Sequence, residues 1–526
     1  MDRLVEILAQ KIRKQVHIRI IGDYDVDGVT SSHLFLTALR RVGAKVDVVI
    51  PHRIQDGYGL SLHLLQQAKE DGVDTILTCD NGIAAIDEIA WAKAQKMTVL
   101  VTDHHAVPFE EHEGRRTEKK SLADAVVNPH QQDCGYPYKE LCGAGVAWNV
   151  IRVLYENYDM DKREAEDLLD FVAMATVCDV MSLTGENRIL VKEGLKRIRH
   201  TKNIGLQALM QACNVQPENI SAYHFGYVLG PCVNATGRLD TARHALRLFE
   251  TGQETEAEEI ARDLVDLNQE RKELTLQGVE MAKKLCEEGG YENDPVLVLF
   301  LPDVHESIAG LIAGRIREMY NRPVFVLTRG EEGVKGSGRS TENYSMYENM
   351  CGCAELFTKF GGHPMAAGLS LPEENVEKFR RKINENCPLT VEEVCPDIHI
   401  DMAMPVGYAS TELVHQFALL EPFGKDNPSP LFADRNLSIS RMWLIGKNRN
   451  VLRMSVLSEY GQPVPVIFFG DVETLFAYFT EKFGQEEVEN ALHGRKNRIL
   501  FSMVYTAKID FYQGNENLQL EMKYYR

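Results

Sequence analysis

Acidic and histidine side chains follow short apolar runs at several points in the first 180 residues. The segments are GDYDVDG, TCDNG, VTDHH and TVCDV, and the side chains are Asp23, Asp25, Asp27, Asp80, Asp103, His104, His105 and Asp179. Carboxylates gathered at one place raise one another's pKa, so they cannot all stay ionised without a cation. A mixed carboxylate and imidazole set suits Mn²⁺, whereas an oxygen-only set favours Mg²⁺. Two such ions can activate water and stabilise charge that develops on a phosphoryl group.

Each of these residues alone has a simpler interpretation. A single Asp at a strand end more often caps the following helix, and an Asp-Gly pair is common in plain turns. For Asp23, a hydrogen bond to its own turn is as reasonable as a role as a ligand. The whole set is harder to explain this way, because several independent strands would have to deliver such groups to one edge by chance.

The elements that must position these residues alternate short β-branched runs with helical patterns. Strands are predicted at 17–21, 45–50, 74–80, 97–103 and 124–128. This alternation is typical of a parallel, doubly wound sheet, in which ligands bind at the carboxyl ends of the strands. Because side chains alternate along a strand, Asp25 and Asp27 are expected to point the same way. We therefore expect one cleft to hold the whole set.

After this first sheet, the predicted secondary structure changes twice along the chain. Helical patterns extend to about residue 250, and 254–287 is predicted to be one long amphipathic helix. A second βα unit begins at 295–300, and after Pro388 short strands predict a small all-β barrel of five strands, as in an OB-fold. The predicted fold class is α/β with an all-β C-terminal domain. The predicted divisions are a first α/β domain 1–250, a connecting helix 251–290, a second α/β domain 291–388 and a barrel 395–526.

Two glycine-rich segments of the second α/β domain, GSGRS and GGHPMAAG, could hold a phosphate. Glycine turns expose backbone N–H groups, and the Arg339 guanidinium offers a planar fork of donors. Ser340, Gly362 and His363 lie in the same two segments. A glycine-rich turn at a strand end is at least as often purely structural, so these segments are weak evidence by themselves.

The composition of the chain argues against several classes of protein. The chain has 77 acidic and 58 basic residues and a net charge of −19, which argues against a general nucleic-acid coat and requires any DNA site to be local. No apolar run approaches the length needed to cross a bilayer, and the N-terminus does not resemble a secretory signal. Eleven cysteines without a Cys-x-x-Cys pair fit a reducing cytoplasm. We expect a cytoplasmic protein that does not contact membranes.

The acidic segments also resemble the ordered motifs of a known family. DYDVDG, TCDNG, DHH at 103–105, and TVCDVMSL with ENR at 186–188 are similar to the four motifs of the DHH phosphoesterases in their RecJ form. The resemblance implies that Asp103 supports the cluster or orients a histidine, and that His105 approaches the scissile phosphate. Asp23 is a further candidate ligand. The implied ligands of one or two Mn²⁺ or Mg²⁺ ions are Asp25, Asp27, Asp80, His104 and Asp179.

The resemblance extends through the second domain into the barrel. It implies that Arg339 and His363 grip a nucleotide phosphate and that Arg315, in HESIAGLIAGRIRE, reaches the strand backbone. In GPCVNATGRLD it makes Asn234 and Arg238 candidate substrate contacts. The family often has Arg where this chain has Cys232, so that one phosphate contact is missing or supplied elsewhere. The barrel is expected to hold single strands or only to pack on the cleft, with Trp443, Lys447, Arg449, Phe468 and Phe469 as candidate contacts.

The function implied by the resemblance is a 5′→3′ exonuclease on single-stranded DNA that releases 5′ mononucleotides in DNA repair and recombination. Its implied partners are single-stranded DNA and a single-stranded-DNA-binding protein or a helicase. One alternative is hydrolysis of short oligonucleotides or cyclic dinucleotides, which the barrel disfavours. Another is an inactive nucleic-acid-binding scaffold, which the complete set of expected ligands disfavours. The first motif begins about twenty residues from Met1, closer than is usual in RecJ proteins.

Overall fold

The computed structural model describes the chain except residues 54–55, 58, 113–114, 292–293, 331–332, 390–397, 447–448 and 513–514. The chain divides into two compact units, Met1–Pro396 (unit 1) and Asp397–Arg526 (unit 2). No helix among the described residues is both long and apolar enough to span a membrane. The ten cysteines whose placement is described are all free thiols.

Unit 1 begins with a parallel five-stranded sheet. The strands up to residue 130 are β1 His17–Ile21, β2 Lys45–Val49, β3 Thr75–Cys79, β4 Thr98–Thr102, β5 Phe109–His112, β6 Arg115–Glu118 and β7 Ala125–Val127. The sheet order is β2-β1-β3-β4-β7, and β5 and β6 form a separate hairpin. Because β2 and β3 pair with opposite sides of β1, the strand order reverses at β1, as in a doubly wound sheet.

Helices cover both faces of this sheet. The helices up to residue 160 are α1 Asp2–Arg13, α2 Val26–Arg41, α3 Leu62–Glu70, α4 Ile86–Ala94 and α5 Gly143–Asn157. On β4, Leu100 belongs to the core formed with α1, α2 and α5, whereas Val99 and Val101 belong to the core formed with α3 and α4. Successive strand residues therefore face opposite layers, which explains why the strands are apolar throughout.

A helical region leads from the first sheet to the second. Its elements are α6 Arg163–Glu166, α7 Leu169–Cys178, α8 Gly185–Ile198, α9 Ile204–Ala212, α10 Ala222–His224, a π-helical turn Phe225–Leu229, α11 Gly230–Leu239, α12 Arg243–Glu250 and α13 Glu254–Glu288. The helix α13 has 35 residues, and its buried residues contact both the first core and the core of the second sheet. It therefore connects the two α/β parts of unit 1.

The second sheet of unit 1 is mixed. Its elements are β8 Leu297–Phe300, α14 Glu306–Tyr320, β9 Val324–Gly330, β10 Gly333–Arg339, α15 Met346–Cys351, β11 Lys359–His363, β12 Ala366–Leu371 and α16 Val376–Glu385, and the strand order is β11-β12-β10-β9-β8. One face packs on α13 and α14, and the other packs on α15 and α16. Because β10 pairs with both β9 and β12, Arg339 stands at the end of an interior strand.

Unit 2 is a small barrel with its own apolar core. Its elements are β13 Met402–Ala403, α17 Thr411–Phe417, β14 Phe432–Ile445, β15 Val451–Leu457, β16 Pro463–Phe468, α18 Val472–Phe483, α19 Gln485–Leu492, β17 Leu500–Tyr512 and β18 Asn515–Tyr525. The sheet closes because β14 also pairs with β17. The five predicted strands are present as β14–β18. The pair α18 and α19 was not anticipated, although Leu475 and Phe479 form an apolar stripe that joins the core.

Candidate metal centre

The first acidic segment forms the turn from β1 into α2. Asp25 is the N-cap of α2, and its Oδ1 accepts a hydrogen bond of 3.0 Å from the Gly28 N–H. A Cβ on Gly28 would lie 2.5 Å from the Asp23 backbone, so the turn can fold against the helix only with glycine there. Asp25 and Asp27 thus belong to a helix start. The strand alternation on which we based their common direction does not apply to them.

Asp27 is held by the start of another helix. Its Oδ2 accepts a hydrogen bond of 2.5 Å from the Gly143 N–H and its Oδ1 accepts one of 2.7 Å from the Ala144 N–H, in the first turn of α5. The first N–H groups of a helix have no partner within the helix and favour a negative charge. A Cβ on Gly143 would lie 2.6 Å from Cβ of Asp80. The sequence analysis missed this helix start, for which the glycines in CGAGVAW were the available signal.

Asp80 follows β3 in the left-handed region, with φ of 62°. Asn81 fixes this turn, because its Nδ2 donates to the carbonyl oxygens of Ile21 and Cys79. Asp80 is 2% exposed. Burial, and then the charges of neighbouring aspartates led by Asp27, raise the pKa of Asp80 well above its ordinary value. The carboxylate is therefore costly to ionise unless a cation lies beside it.

The His104 imidazole lies among three of these carboxylates. Its Nε2 is 3.0 Å from Asp80 Oδ1, 3.5 Å from Asp179 Oδ2 and 3.7 Å from Asp27 Oδ2. This Nε2 is buried and makes no hydrogen bond among the described residues. Burial lowers the pKa of His104, which favours the neutral ring. A neutral imidazole nitrogen facing three carboxylates is a suitable metal ligand.

Asp103 has a different environment from the other aspartates. Its carboxylate accepts hydrogen bonds from the backbone N–H groups of Ile83, His104 and His105 at 2.9, 2.7 and 3.0 Å. The His105 Nδ1 lies 2.8 Å from the same carboxylate. Burial lowers the pKa of His105, but the hydrogen bond and charge of Asp103 outweigh it and raise the pKa to about 9. The contact with Asp103 orients the His105 ring, whereas the role of Asp103 in catalysis stays a prediction.

The donor groups of this cluster fit a divalent cation. Ligand atoms lie within 4.8 Å of one another in three groups, which are Asp23, Asp25 and Asp80; Asp27, His104 and Asp179; and Asp80, His104 and His105. Asp23 Oδ1 is buried without a hydrogen bond among the described residues, and burial raises the pKa of Asp23 well above its ordinary value. Asp179 caps the C-terminus of α7 and is partly exposed. The structure brings together all the residues that the sequence analysis named as ligands.

A cluster of arginines also lies in unit 1. Burial, and then the nearby charges of Arg53, Arg271 and Arg339, lower the pKa of Arg238 to about 10. Arg53 and Ser337 line a cavity of about 400 Å³. Arg53 was missed by the sequence analysis. It follows β2 at the carboxyl end of the strand, so the rule used for Asp80 and His104 could have found it.

The other predicted substrate contacts have varied environments. Asn234 Oδ1 accepts a hydrogen bond of 3.1 Å from the Val26 N–H, and Arg238 Nη1 donates to the carbonyl oxygen of Ser307 at 2.7 Å. Ser340 is buried, and its hydroxyl donates to the Tyr344 carbonyl oxygen. Asn234 and Ser340 thus already use polar atoms to hold the fold. Arg315 is exposed beside Glu318, and Gly362 and His363 are exposed at the end of β11.

The candidate contacts in unit 2 also differ from one another. Phe468 belongs to the barrel core, whereas Phe469 is 58% exposed. Arg449 is exposed, and Trp443 is partly buried with the Arg441 guanidinium 5.6 Å from its ring. Lys447 lies outside the described residues. Of the candidates that the structure describes, Phe469 and Arg449 are therefore the most accessible to a ligand.

Three family models match successive parts of the chain. A model of the DHH family, N-terminal domain, matches residues 17–176, a DHHA1 domain model matches 293–387 and a RecJ OB domain model matches 400–524. The single-stranded-DNA-specific exonuclease RecJ of Haemophilus influenzae is 33% identical over 544 residues, covering 99% of this chain and 90% of that protein. The chain belongs to the RecJ family.

This RecJ-family chain matches only part of the length of two other relatives. The Bacillus subtilis single-stranded-DNA-specific exonuclease RecJ is 33% identical over 466 residues, and the chain spans 57% of its length. The crystal structure of RecJ in complex with Mn²⁺ from Thermus thermophilus superposes with a TM-score of 0.79 at 26% identity, covering 99% of this chain and 71% of that one. The α/β fold with a C-terminal OB domain is thereby confirmed.

Proposed function

We propose that this RecJ-family chain is a metal-dependent exonuclease that hydrolyses single-stranded DNA from the 5′ end and releases 5′ mononucleotides. The observation that carries the proposal is the convergence of carboxylates on the His104 Nε2, which lies 3.0 to 3.7 Å from three of them. The direction of digestion rests on the family alone. DNA repair and recombination are the processes that such an activity would serve.

We assign the ligands of one or two Mn²⁺ or Mg²⁺ ions to Asp25, Asp27, Asp80, His104 and Asp179, with Asp23 as a further candidate. When bound, these ions would activate water and offset the charge that develops on the phosphate. Asp103 holds the His105 ring by a 2.8 Å contact with Nδ1, and we assign His105 to the scissile phosphate.

We assign Arg53, Arg238 and Arg339 to the phosphates of the strand. Among the described residues, no carboxylate oxygen lies within 4 Å of these three guanidinium groups. An arginine without a carboxylate partner is available to bind phosphate bidentately. Asn234, Arg315, Ser340, Gly362 and His363 remain proposed contacts that rest on the resemblance of their segments to those of the family.

We propose a separate function for each of the four segments predicted from the sequence. Residues 1–250 hold the metal centre, and residues 251–290 connect it to the second α/β domain. Residues 291–388 bind the nucleotide, and residues 395–526 hold the strand. A single-stranded-DNA-binding protein or a helicase would supply the strand. Because such strands arise on chromosomal DNA, we propose that the chain works in the cytoplasm.

The decisive experiment uses a single-stranded 20-mer labelled at the 5′ end, with purified protein and Mn²⁺. We expect labelled mononucleotide as the first product and no attack on a blunt duplex of the same sequence. A 3′-labelled strand should release its label last. Label released first from the 3′ end would contradict the polarity, and faster hydrolysis of dinucleotides than of 20-mers would favour a small-nucleotide phosphodiesterase.

A further inference from the structure

Two thiols of unit 1 lie side by side between α9 and α11. Cys213 is the C-cap of α9, Cys232 lies in the first turn of α11, and their Sγ atoms are 3.8 Å apart. A disulfide needs a sulfur separation of about 2.05 Å, so the two atoms must approach each other by about 1.8 Å. Cys213 ends its helix, and helix ends fray. The approach therefore requires a local shift of one helix end and not unfolding of the core.

The two thiols differ in their access to solvent and in their acidity. Cys213 is partly exposed, whereas Cys232 is 2% exposed. The hydrogen bond with Cys232 lowers the pKa of Cys213 despite burial, and the charge of Lys272 acts in the same direction. The same hydrogen bond, together with burial, raises the pKa of Cys232. Because the thiolate is the reactive form of cysteine, an oxidant from solvent reacts first with Cys213 and leaves Cys232 beside the product.

The helix that carries Cys232 packs directly on the acidic turn between β1 and α2. A Cβ on Gly237 of α11 would lie 2.4 Å from the backbone oxygen of Tyr24. Asn234 Oδ1 accepts a hydrogen bond of 3.1 Å from the Val26 N–H. Tyr24 and Val26 flank Asp25, which is a candidate metal ligand. Because tightly packed elements move together, a displacement of α11 also displaces this turn.

A disulfide at this position would remove two hydrogen bonds that hold α11. The Cys232 Sγ donates to the Val228 carbonyl oxygen at 3.3 Å and accepts from the Asn268 Nδ2 at 3.4 Å. A disulfide sulfur has no S–H to donate, and it would be drawn toward α9 and away from Asn268. Asn268 is 3% exposed, so its amide cannot take a water molecule from bulk solvent in exchange. Oxidation therefore favours a changed position of α11.

We propose that Cys213 and Cys232 form a disulfide on exposure to hydrogen peroxide and that this bond slows hydrolysis at the metal centre. The Cys213 thiolate attacks one peroxide oxygen, which gives a sulfenic acid and hydroxide. The Cys232 sulfur then attacks the sulfenic sulfur, and the thiol proton leaves with the hydroxyl group as water. The two sulfurs are oxidised by two electrons in all, and the peroxide is reduced to water. Only the effect on hydrolysis rests on the proposed function.

The bond itself is tested by peptide mass in the full chain. The reduced protein is freed of reductant, treated with hydrogen peroxide in EDTA and quenched with catalase. The remaining thiols are then alkylated, and the chain is digested for mass spectrometry. We expect a peptide pair that joins Cys213 to Cys232, lighter than the two reduced peptides by the hydrogens lost and separated by dithiothreitol. A native chain that yields no such pair would overturn the inference.

The effect on hydrolysis is the ratio of 20-mer turnover with Mn²⁺ after and before oxidation, measured for each variant against itself. We expect a decrease of about tenfold in the native chain, reversed by dithiothreitol, because small displacements of catalytic groups are costly. Cys351→Ser, which removes an exposed thiol of α15, should show the same decrease. Cys213→Ser and Cys232→Ser should keep their turnover after oxidation. A decrease in Cys213→Ser equal to that of the native chain would contradict a role for the pair.

Failure of the inference and failure of the proposed function give different results. If the reduced native chain degrades no 20-mer, the proposed function is wrong. The pair is then judged from the peptide masses and from Mn²⁺ binding by calorimetry, which should weaken on oxidation. If the chain degrades the 20-mer equally well before and after the disulfide has formed, the proposed function stands and the inference is wrong.

Discussion

At the scale of single residues, identical side chains have opposite roles in the metal centre. Asp103 accepts three backbone N–H bonds, and these bonds with His105 keep its pKa low despite burial. Asp80 is equally buried but is surrounded by other carboxylates, which raise its pKa. The first environment stabilises the anion from within the protein. The second stabilises it only when a cation is bound.

Asp80→Asn should therefore remove turnover while leaving the fold intact. The amide has the same shape but carries no charge, so we expect kcat to fall by at least about a thousandfold and Mn²⁺ binding to weaken, as measured by calorimetry. Asp74→Asn is the matched control, because Asp74 lies before β3, at the opposite end from Asp80, and pairs there with Lys11. Normal turnover in Asp80→Asn would show that the ligand assignment is wrong.

At the scale of elements, the start of α5 organises the centre. Its first two N–H groups hold Asp27, and the missing side chain of Gly143 lets Asp80 lie against the helix. The helix thus fixes two candidate ligands that come from different strand ends. A short contact of this kind is possible only for glycine.

Gly143→Ala should lower activity strongly, although the substitution adds only one methyl group. The new Cβ would lie 2.6 Å from the Asp80 Cβ, so one of the two elements must move and the ligand atoms move with it. We expect at least a tenfold loss in kcat at fixed Mn²⁺, partly recovered at higher Mn²⁺. Gly135→Ala, where no atom lies within 4 Å of the added Cβ, should behave like the native chain. Unchanged activity in Gly143→Ala would mean that this close packing is unnecessary.

The start of α7 makes stability depend on pH. Burial raises the pKa of Asp170 to about 6 from an ordinary 3.8, although Thr201 Oγ1 donates to it at 2.6 Å. Because the folded pKa is raised, the folded state holds the proton more tightly. This contribution to stability is complete below pH 4 and is lost as the pH rises through 6. At about 1.4 kcal/mol per tenfold change in proton affinity, the loss is about 3 kcal/mol.

Asp170→Asn removes this titration and keeps an oxygen for Thr201. Relative to the native chain, the variant should become more stable as the pH rises from 4 to 7, as measured by urea unfolding at each pH. Asp167→Asn is the control, because Asp167 is exposed one turn earlier. A constant difference between native chain and Asp170→Asn across this range would show that Asp170 does not titrate there.

At the scale of the whole molecule, the chain has two units with separate apolar cores. Unit 1 contains the metal centre and the arginines, whereas unit 2 has a barrel core of its own. Each unit therefore has the packing that it needs to remain folded alone. The proposed hydrolysis by unit 1 and the proposed strand binding by unit 2 can therefore be tested separately.

Shortening the chain to unit 1, Met1–Pro396, should preserve hydrolysis of a 5′-phosphorylated dinucleotide. Binding of a 20-mer should weaken at least tenfold, because stacking on a barrel is worth about 1–3 kcal/mol per base. Gel-shift titration of the strand and product release from the dinucleotide give the two readings. Equal losses in both would show that the barrel serves only as structure.

The sequence was sufficient to predict the parallel sheet, the second α/β part, the barrel and the gathering of acidic and histidine side chains, because these depend on periodicity and on which residues follow each strand. It could not distinguish the role of Asp103 from that of Asp80, since both follow apolar strands and differ only in their hydrogen-bond partners. It also missed Arg53 and the start of α5. Those features arise where segments far apart in the chain pack together, and only the tertiary structure decides which charge then lacks a partner.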